Sequence, residues 1–304
     1  MKRRVFLQRS FYGGLILSAP GMLSALPAGS RQTKVTILHT NDWHSRIEPF
    51  PAGSGRNSNQ GGAVRRAALI DQVRQQEEHV LLLDSGDVFQ GTPYFNFFAG
   101  ELEFKLMSQM GYDAGTIGNH DFDNGIDGLV KQLPHAKFPF LSSNYNFKGT
   151  ALEGKTKNYH IIEKGPIRVG IFGLGIELEG LVPENLYGKT EYQDPIEKAN
   201  ATAKILKEDK KCDLVICLSH LGYKYRSEKV SDLVLAAQSR HVDIILGGHT
   251  HTFMRKPDSV ENRDGEPVII NQVGWAGLRM GRLDVTFDRS RKQVCVDCNN
   301  LVIA

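Results

Sequence analysis

Again and again along the chain, a short apolar run breaks abruptly into glycine and polar residues. "VTILHTNDWH" passes from Ile37 and Leu38 to Asp42 and His44. "VLLLDSGD" ends in Asp87, and "GTIGNHDFD" in Asn119, His120 and Asp123. "LVICLSH" ends in His220, and "DIILGGHTH" in His249 and His251. Runs this short, rich in branched aliphatics and bounded by turn residues, read as buried strands rather than helices. Between them, Gly62–Glu78, Pro195–Lys210 and Val230–Arg240 carry helical periodicity, and Asn96–Met110 reads as a further helix. Strands separated by helices need crossover connections, which predicts an α/β fold with largely parallel pairing. The late strands come close together with turn residues between them, as in "NRDGEP", and are expected to be antiparallel. The polar stretches Pro51–Gly62 and Asn146–Asn158 read as loops. No repeat or Pro-rich linker divides residues 29–304, so one domain is expected there.

In a mainly parallel sheet the carboxyl ends of neighbouring strands face one way, and ligands bind in the crevice outside them. The five breaks therefore converge, bringing carboxylates, imidazoles and a carboxamide to one place. Such groups gather unpaired only where something neutralises and orients them, and a divalent metal does both. The donors divide into two sets. Asp42, His44 and His251 form one; Asn119, His220 and His249 form the other; Asp87, with two oxygens, is suited to bridge. Two ions about 3.5–4 Å apart clamp a phosphoryl group, and a hydroxide bridging them is the expected nucleophile. Mixed imidazole and carboxylate donors suit zinc, manganese, iron or cobalt better than calcium, without choosing among the four.

His120 sits three residues before Asp123. A hydrogen bond between them would fix the ring's tautomer and favour its charged form. His120 would then stabilise developing negative charge or protonate the departing alkoxide. Arg46 offers a guanidinium for phosphate, against the plainer reading of a structural arginine. Asn144 offers a carboxamide at another strand end. His39, Trp43 and Tyr145 are assigned to the wall, and Phe89 and Tyr94 to packing the helix Asn96–Met110 on the sheet. Each motif alone is weak: "GNHDFDNG" reads equally as a turn whose Asn and Gly supply positive φ. Five in order, each at a strand end, are specific.

The stretches "ILHTNDWHSR", "LLLDSGDVFQGTP", "TIGNHDFDNG", "LSHLGY" and "ILGGHTHTF" resemble the calcineurin-like metallophosphoesterases, in their 5'-nucleotidase branch, over Lys34 to Phe287. The resemblance implies a four-layer α/β/β/α sandwich of mixed sheets, with a dimetal site at the strand C-terminal ends. It implies the same seven ligands, with His120 and Asp123 as the catalytic dyad. The implied activity is hydrolysis of small-molecule phosphate monoesters, 5'-nucleotides first. Cyclic nucleotides, UDP-sugars and sulfur esters are the alternatives for the same centre. Asp121 stands where the branch more often has glutamate, and His251 where some members place glutamine. Many members carry a C-terminal domain that holds the base and the phosphate. The chain ends at Ala304, so a further alternative is a catalytic subunit whose specificity domain is separately encoded.

The first 28 residues stand apart. A basic head precedes a moderately apolar stretch from Phe11 to Leu26, the layout of an export signal. The pair Arg3-Arg4, with Phe6 and Leu7 beyond it, resembles the twin-arginine signal and predicts a periplasmic or exported protein. The apolar stretch is shorter than the roughly 20 residues a spanning helix needs, so no stable membrane anchor is expected after cleavage. The segment carries four basic residues and no acidic one, so the remaining chain's formal charge is −1 rather than +3. That balance argues against a nucleic-acid partner gripped through its backbone. Cys212 and Cys217 read as core residues. Cys295 and Cys298, in "CVDC", leave a disulfide and two free thiols both open.

Overall fold

A computed structural model describes residues 32–304; the export-signal reading and its Arg3-Arg4 pair lie outside the described residues. The principal strands are β1 (Thr33–Thr40), β2 (Val80–Asp84), β3 (Ala114–Thr116), β4 (Phe140–Leu141), β5 (Tyr159–Lys164) and β6 (Ile167–Leu174). They continue as β7 (Leu214–Ser219), β8 (Ile244–Gly247), β9 (Asp258–Glu261), β10 (Pro267–Asn271), β11 (Arg279–Phe287) and β12 (Gln293–Cys298). The principal helices are α1 (Ala63–Gln76), α2 (Pro93–Phe98), α3 (Glu101–Met110), α4 (Gly125–Gln132), α5 (Pro195–Lys204) and α6 (Asp232–Gln238).

The strands form two mixed sheets, ordered β12-β11-β1-β2-β3-β4 and β9-β10-β8-β7-β6-β5. Each has a parallel centre: β1 through β4 in the first, and β6, β7, β8 and β10 in the second. Antiparallel strands close the edges.

The sheets pack face to face because alternate residues along the central strands are apolar toward each other. Val35, Ile37, Leu81 and Leu83 of the first sheet meet Val169, Ile171, Ile216 and Leu246 of the second. The opposite faces are apolar too. Leu38 and Leu82 bury under Ile70, Phe104, Met107 and Leu129 from α1, α3 and α4. Val215, Cys217 and Ile245 bury under Ala199, Ala203 and Leu235 from α5 and α6. Three apolar seams make four layers, α/β/β/α. Each fully buried Leu or Ile adds about 1.5–3 kcal/mol.

Three expectations are corrected. Antiparallel pairing holds across the "NRDGEP" turn, between β9 and β10, but β10 pairs parallel with β8 on its other side. The turn at Asn262–Gly265 reverses the chain after edge strand β9, so β10 runs in the direction of β8. The loop from Asn271 to Arg279 then crosses to the other sheet, where β11 pairs antiparallel with β1. The helix over 96–110 is two helices, broken at Ala99 and Gly100, which both adopt positive φ. Gly100 is required there, since a Cβ would collide with the Phe89 ring. Phe89 does pack α2 and α3, against Phe95 and Phe104. Tyr94 instead turns outward to donate to Glu48. Cys295 and Cys298 are both free thiols in β12. Three residues apart on a strand, they point to opposite faces and cannot bridge.

Candidate metal centre

Every element that reaches the site does so at a strand's carboxyl end. β1 delivers Asp42 and His44, β2 Asp87, β3 Asn119 and His120, β7 His220, and β8 His249 and His251. The backbone there is unusual. Asp42, His44, Asp87, His249 and His251 all have φ between 51° and 70°, as does Ser45. Non-glycine residues seldom adopt this left-handed conformation, and where they cluster the surrounding structure must hold them. The turns aim consecutive donors inward instead of alternating them across the sheet.

The holding contacts are visible. Asp121 accepts from four backbone N–H groups, those of Gly118 at 2.8 Å, Asp87 at 3.1 Å, Val88 at 2.9 Å and Phe89 at 3.2 Å, locking the β2 and β3 loops together. Asn41 donates to Asp42 Oδ2 and to the Gly274 carbonyl, both at 2.6 Å. Gln272 is buried and ties the Gly248 carbonyl to the Thr252 N–H, bracketing the two histidines after β8. Gly248 admits no side chain: a Cβ would lie 2.8 Å from His220 Nδ1, 2.9 Å from Ser85 O and 3.2 Å from Asp42 Oδ2.

Two donor groups result. One ligand atom each from Asp42, His44 and His251 lie within 4.8 Å of one another, and so do those of Asp87, His220 and His249. Asn119 joins the second group, its Oδ1 being 2.8 Å from His249 Nδ1. Asp87 stands between the groups, with Oδ2 3.0 Å from His220 Nε2 and 4.0 Å from His44 Nε2. Asp42 Oδ1 likewise lies 3.3 Å from His251 Nε2 and 3.9 Å from His220 Nε2.

The proton bookkeeping tests whether metals fit. His220 Nδ1 lies 2.6 Å from the Ser85 carbonyl, so that nitrogen carries the hydrogen. Nε2 faces Asp87 Oδ2 at 3.0 Å; burial opposes charge there, yet the Asp87 carboxylate pushes the His220 pKa up to about 10, so a proton holds the place between them that a cation would take. His44 Nδ1 faces the Phe89 carbonyl at 3.3 Å, leaving its Nε2 lone pair 2.9 Å from His251 Nε2. Burial lowers the pKa of His44, and burial with His220 nearby pushes His249 down to about 4, so both are neutral donors near pH 7. Lone pairs and carboxylates facing each other repel unless cations lie between them. The donor set fits two divalent ions.

His120 sits on the rim. Its Nδ1 is 2.7 Å from Asp123 Oδ2, its backbone N–H donates to Asp87 Oδ1 at 2.8 Å, and its ring meets the His44 ring edge-on at 5.2 Å. The Asp123 hydrogen bond pushes its pKa up to about 9, against a smaller opposing effect of burial. The ring is thus a cation at neutral pH.

Two sequence candidates stand apart. Asn144 is fully buried, its amide donating to Gly175 O and accepting from Gly175 N, each at 2.8 Å, so it contributes nothing to the cleft. Arg46 lies beside the centre with its guanidinium over the Phe50 ring at 4.3 Å. The wall residues find structural partners: His39 bonds Asn271, Trp43 stacks under Arg66, and Tyr145 donates to Ile176 O. Asp121, Asn41 and Gln272 were missed as supports. Polar residues beside a donor motif, such as Asn41 next to Asp42, are the signal that points to them.

Residues 35–253 match the calcineurin-like phosphoesterase family. The chain belongs to that family. It is 36% identical over 294 residues to the snake venom 5'-nucleotidase of Gloydius brevicauda, spanning 90% of this chain and 49% of that protein. It is 36% identical over 317 residues to the 5'-nucleotidase of Vibrio cholerae, spanning 94% of this chain and 55% of that protein. The crystal structure of a 5'-nucleotidase precursor from Thermus thermophilus superposes with a TM-score of 0.79 at 33% identity, over 89% of this chain and 54% of that one. The chain thus spans about half the length of the relatives it matches.

Proposed function

We propose that this chain hydrolyses phosphate monoesters, with 5'-nucleotides as the first substrate class. One observation carries the reading: two adjoining donor groups with Asp87 between them, and a cationic His120 at their edge. Asp42, His44 and His251 would hold one ion; Asn119, His220 and His249 the other; Asp87 would serve both. When bound, the ions supply positive charge to the phosphoryl oxygens and acidify water for attack. Ser85 O and Phe89 O fix the tautomers of His220 and His44, so the donor nitrogens face inward without rearrangement. Asp123 holds the proton on His120 Nδ1 and orients the ring. His120 Nε2–H is then the group that steadies charge on the ester or delivers a proton to the departing oxygen.

The nucleotide preference rests on the relatives' names, and the same centre would serve cyclic nucleotides, UDP-sugars or sulfur esters. The test is hydrolysis of p-nitrophenyl phosphate, AMP, cyclic AMP and UDP-glucose after EDTA treatment, then with manganese, cobalt or zinc restored. The expected result is loss of turnover with EDTA and recovery with metal, greatest on AMP. Undiminished turnover in EDTA would refute the reading.

The matched relatives are about twice as long, and we propose that substrate-gripping residues lie outside this catalytic unit. Co-purification from native periplasm tests this, and full nucleotidase activity in the isolated chain counts against it. We also propose export by the twin-arginine route. The paired substitutions Arg3→Lys and Arg4→Lys should strand the protein in the cytoplasm.

A further inference from the structure

The histidines of the centre are not held alike. His44 and His220 each turn the nitrogen remote from the donor group toward a backbone carbonyl, Phe89 O and Ser85 O. Metal-binding histidines nearly always need such an outer hydrogen bond to fix ring orientation. His251 has none: among the described residues its Nδ1 meets no partner, and its side chain is 39% exposed. Yet its Nε2 lies in the same cluster as Asp42 and His44.

What meets His251 instead is Trp275. The two rings are parallel to within 8°, with centroids 5.7 Å apart. The indole is in turn fixed. Phe50 packs edge-on against it at 6.0 Å, and Arg46 covers Phe50. The backbone around Trp275 is tied to the ligand-bearing segments themselves. Ala276 N donates to Asp42 O at 2.7 Å, and Gly274 N to Thr252 O at 3.0 Å. Asn41 bonds both Val273 N and Gly274 O. The loop crossing from β10 to β11 is thus a bracket that grips Asp42 by its backbone and His251 by its ring.

We propose that Trp275 is a positioning residue for the metal held by Asp42, His44 and His251, its indole face restraining the His251 ring as Phe89 O and Ser85 O restrain His44 and His220. The inference rests on His251 being a metal donor, as assigned above. A flat aromatic surface restrains the plane of the imidazole, whereas an aliphatic group of similar bulk leaves it free to tilt. Losing an outer partner of a metal-binding histidine lowers metal affinity by about 10–100-fold.

The test is manganese binding by calorimetry to the full chain, with bound metal counted by elemental analysis. Trp275→Leu should weaken one of two equivalents by about 10–100-fold and leave the other unchanged, while Trp275→Phe keeps both. In a His251→Ala background, Trp275→Leu should have no further effect on the weakened equivalent. Two wild-type equivalents with Trp275→Leu indistinguishable from wild type would overturn this inference alone. So would Trp275→Phe failing as badly as Trp275→Leu, or an equal loss in the His251→Ala background. A wild-type chain that takes up fewer than two equivalents overturns the donor assignment beneath it.

Discussion

Two histidines of the centre are held to different standards. His220 is walled in: it is fully buried, its tautomer is set by Ser85, and Gly248 passes close against its ring. His251 has its side chain 39% exposed and meets a stacked ring rather than an outer hydrogen bond, although its neighbours Asp42 and His44 are buried. Each donor group joins two buried residues to one part-exposed histidine, His251 in the first and His249 in the second, so the contrast lies between single ligands and teaches that rings are held by different means within one centre. His120, itself on the rim, lies beside the His251 group through its contact with His44.

Five variants break or sharpen that contrast, in order of expected effect. Asp87→Asn should reduce turnover to background and weaken both equivalents, because Asp87 Oδ2 lies within 4.0 Å of a histidine nitrogen from each donor group. Selective loss of a single equivalent would place Asp87 in one group only. Next, His220→Ala and His251→Ala should separate the groups in a metal count after dialysis. The first should lose the ion shared with Asn119 and His249, and the second only the ion shared with Asp42 and His44. Third, His120→Ala should retain two ions yet lower kcat by roughly 10²–10⁴-fold; metal loss in that variant would contradict its assignment to proton and charge transfer.

The smallest effect concerns pH. The Asp123 hydrogen bond keeps His120 protonated up to about pH 9. Removing the acceptor lets the proton leave earlier, so Asp123→Asn should move the alkaline limb of kcat/KM down by roughly one to three pH units. An unmoved limb would show that another group governs it.

That the side chains of the centre gather was legible because each lies within a few residues of a strand end, where local pattern and chemistry coincide. The layer order was legible for a related reason: apolar alternation on both faces of the central strands requires cover on both sides. Two kinds of feature were not legible. One is pairing direction. β10 reads locally like any late strand, and only the turn at Asn262–Gly265 sets it parallel to β8. The other is support at a distance. Trp275 stands 24 residues beyond His251 in the chain, with a whole hairpin between. Asn144 shows the reverse error. Its type and strand-end position suit a binding role, but Gly175 takes both ends of its amide.

The central claim is that these loops enclose a pair of cations. Anomalous diffraction from crystals grown with manganese tests it most directly. Two peaks about 3.5–4 Å apart are predicted, one ringed by Asp42, His44 and His251, the other by Asn119, His220 and His249, with Asp87 reaching both. A single peak, or peaks away from these side chains, would contradict the account.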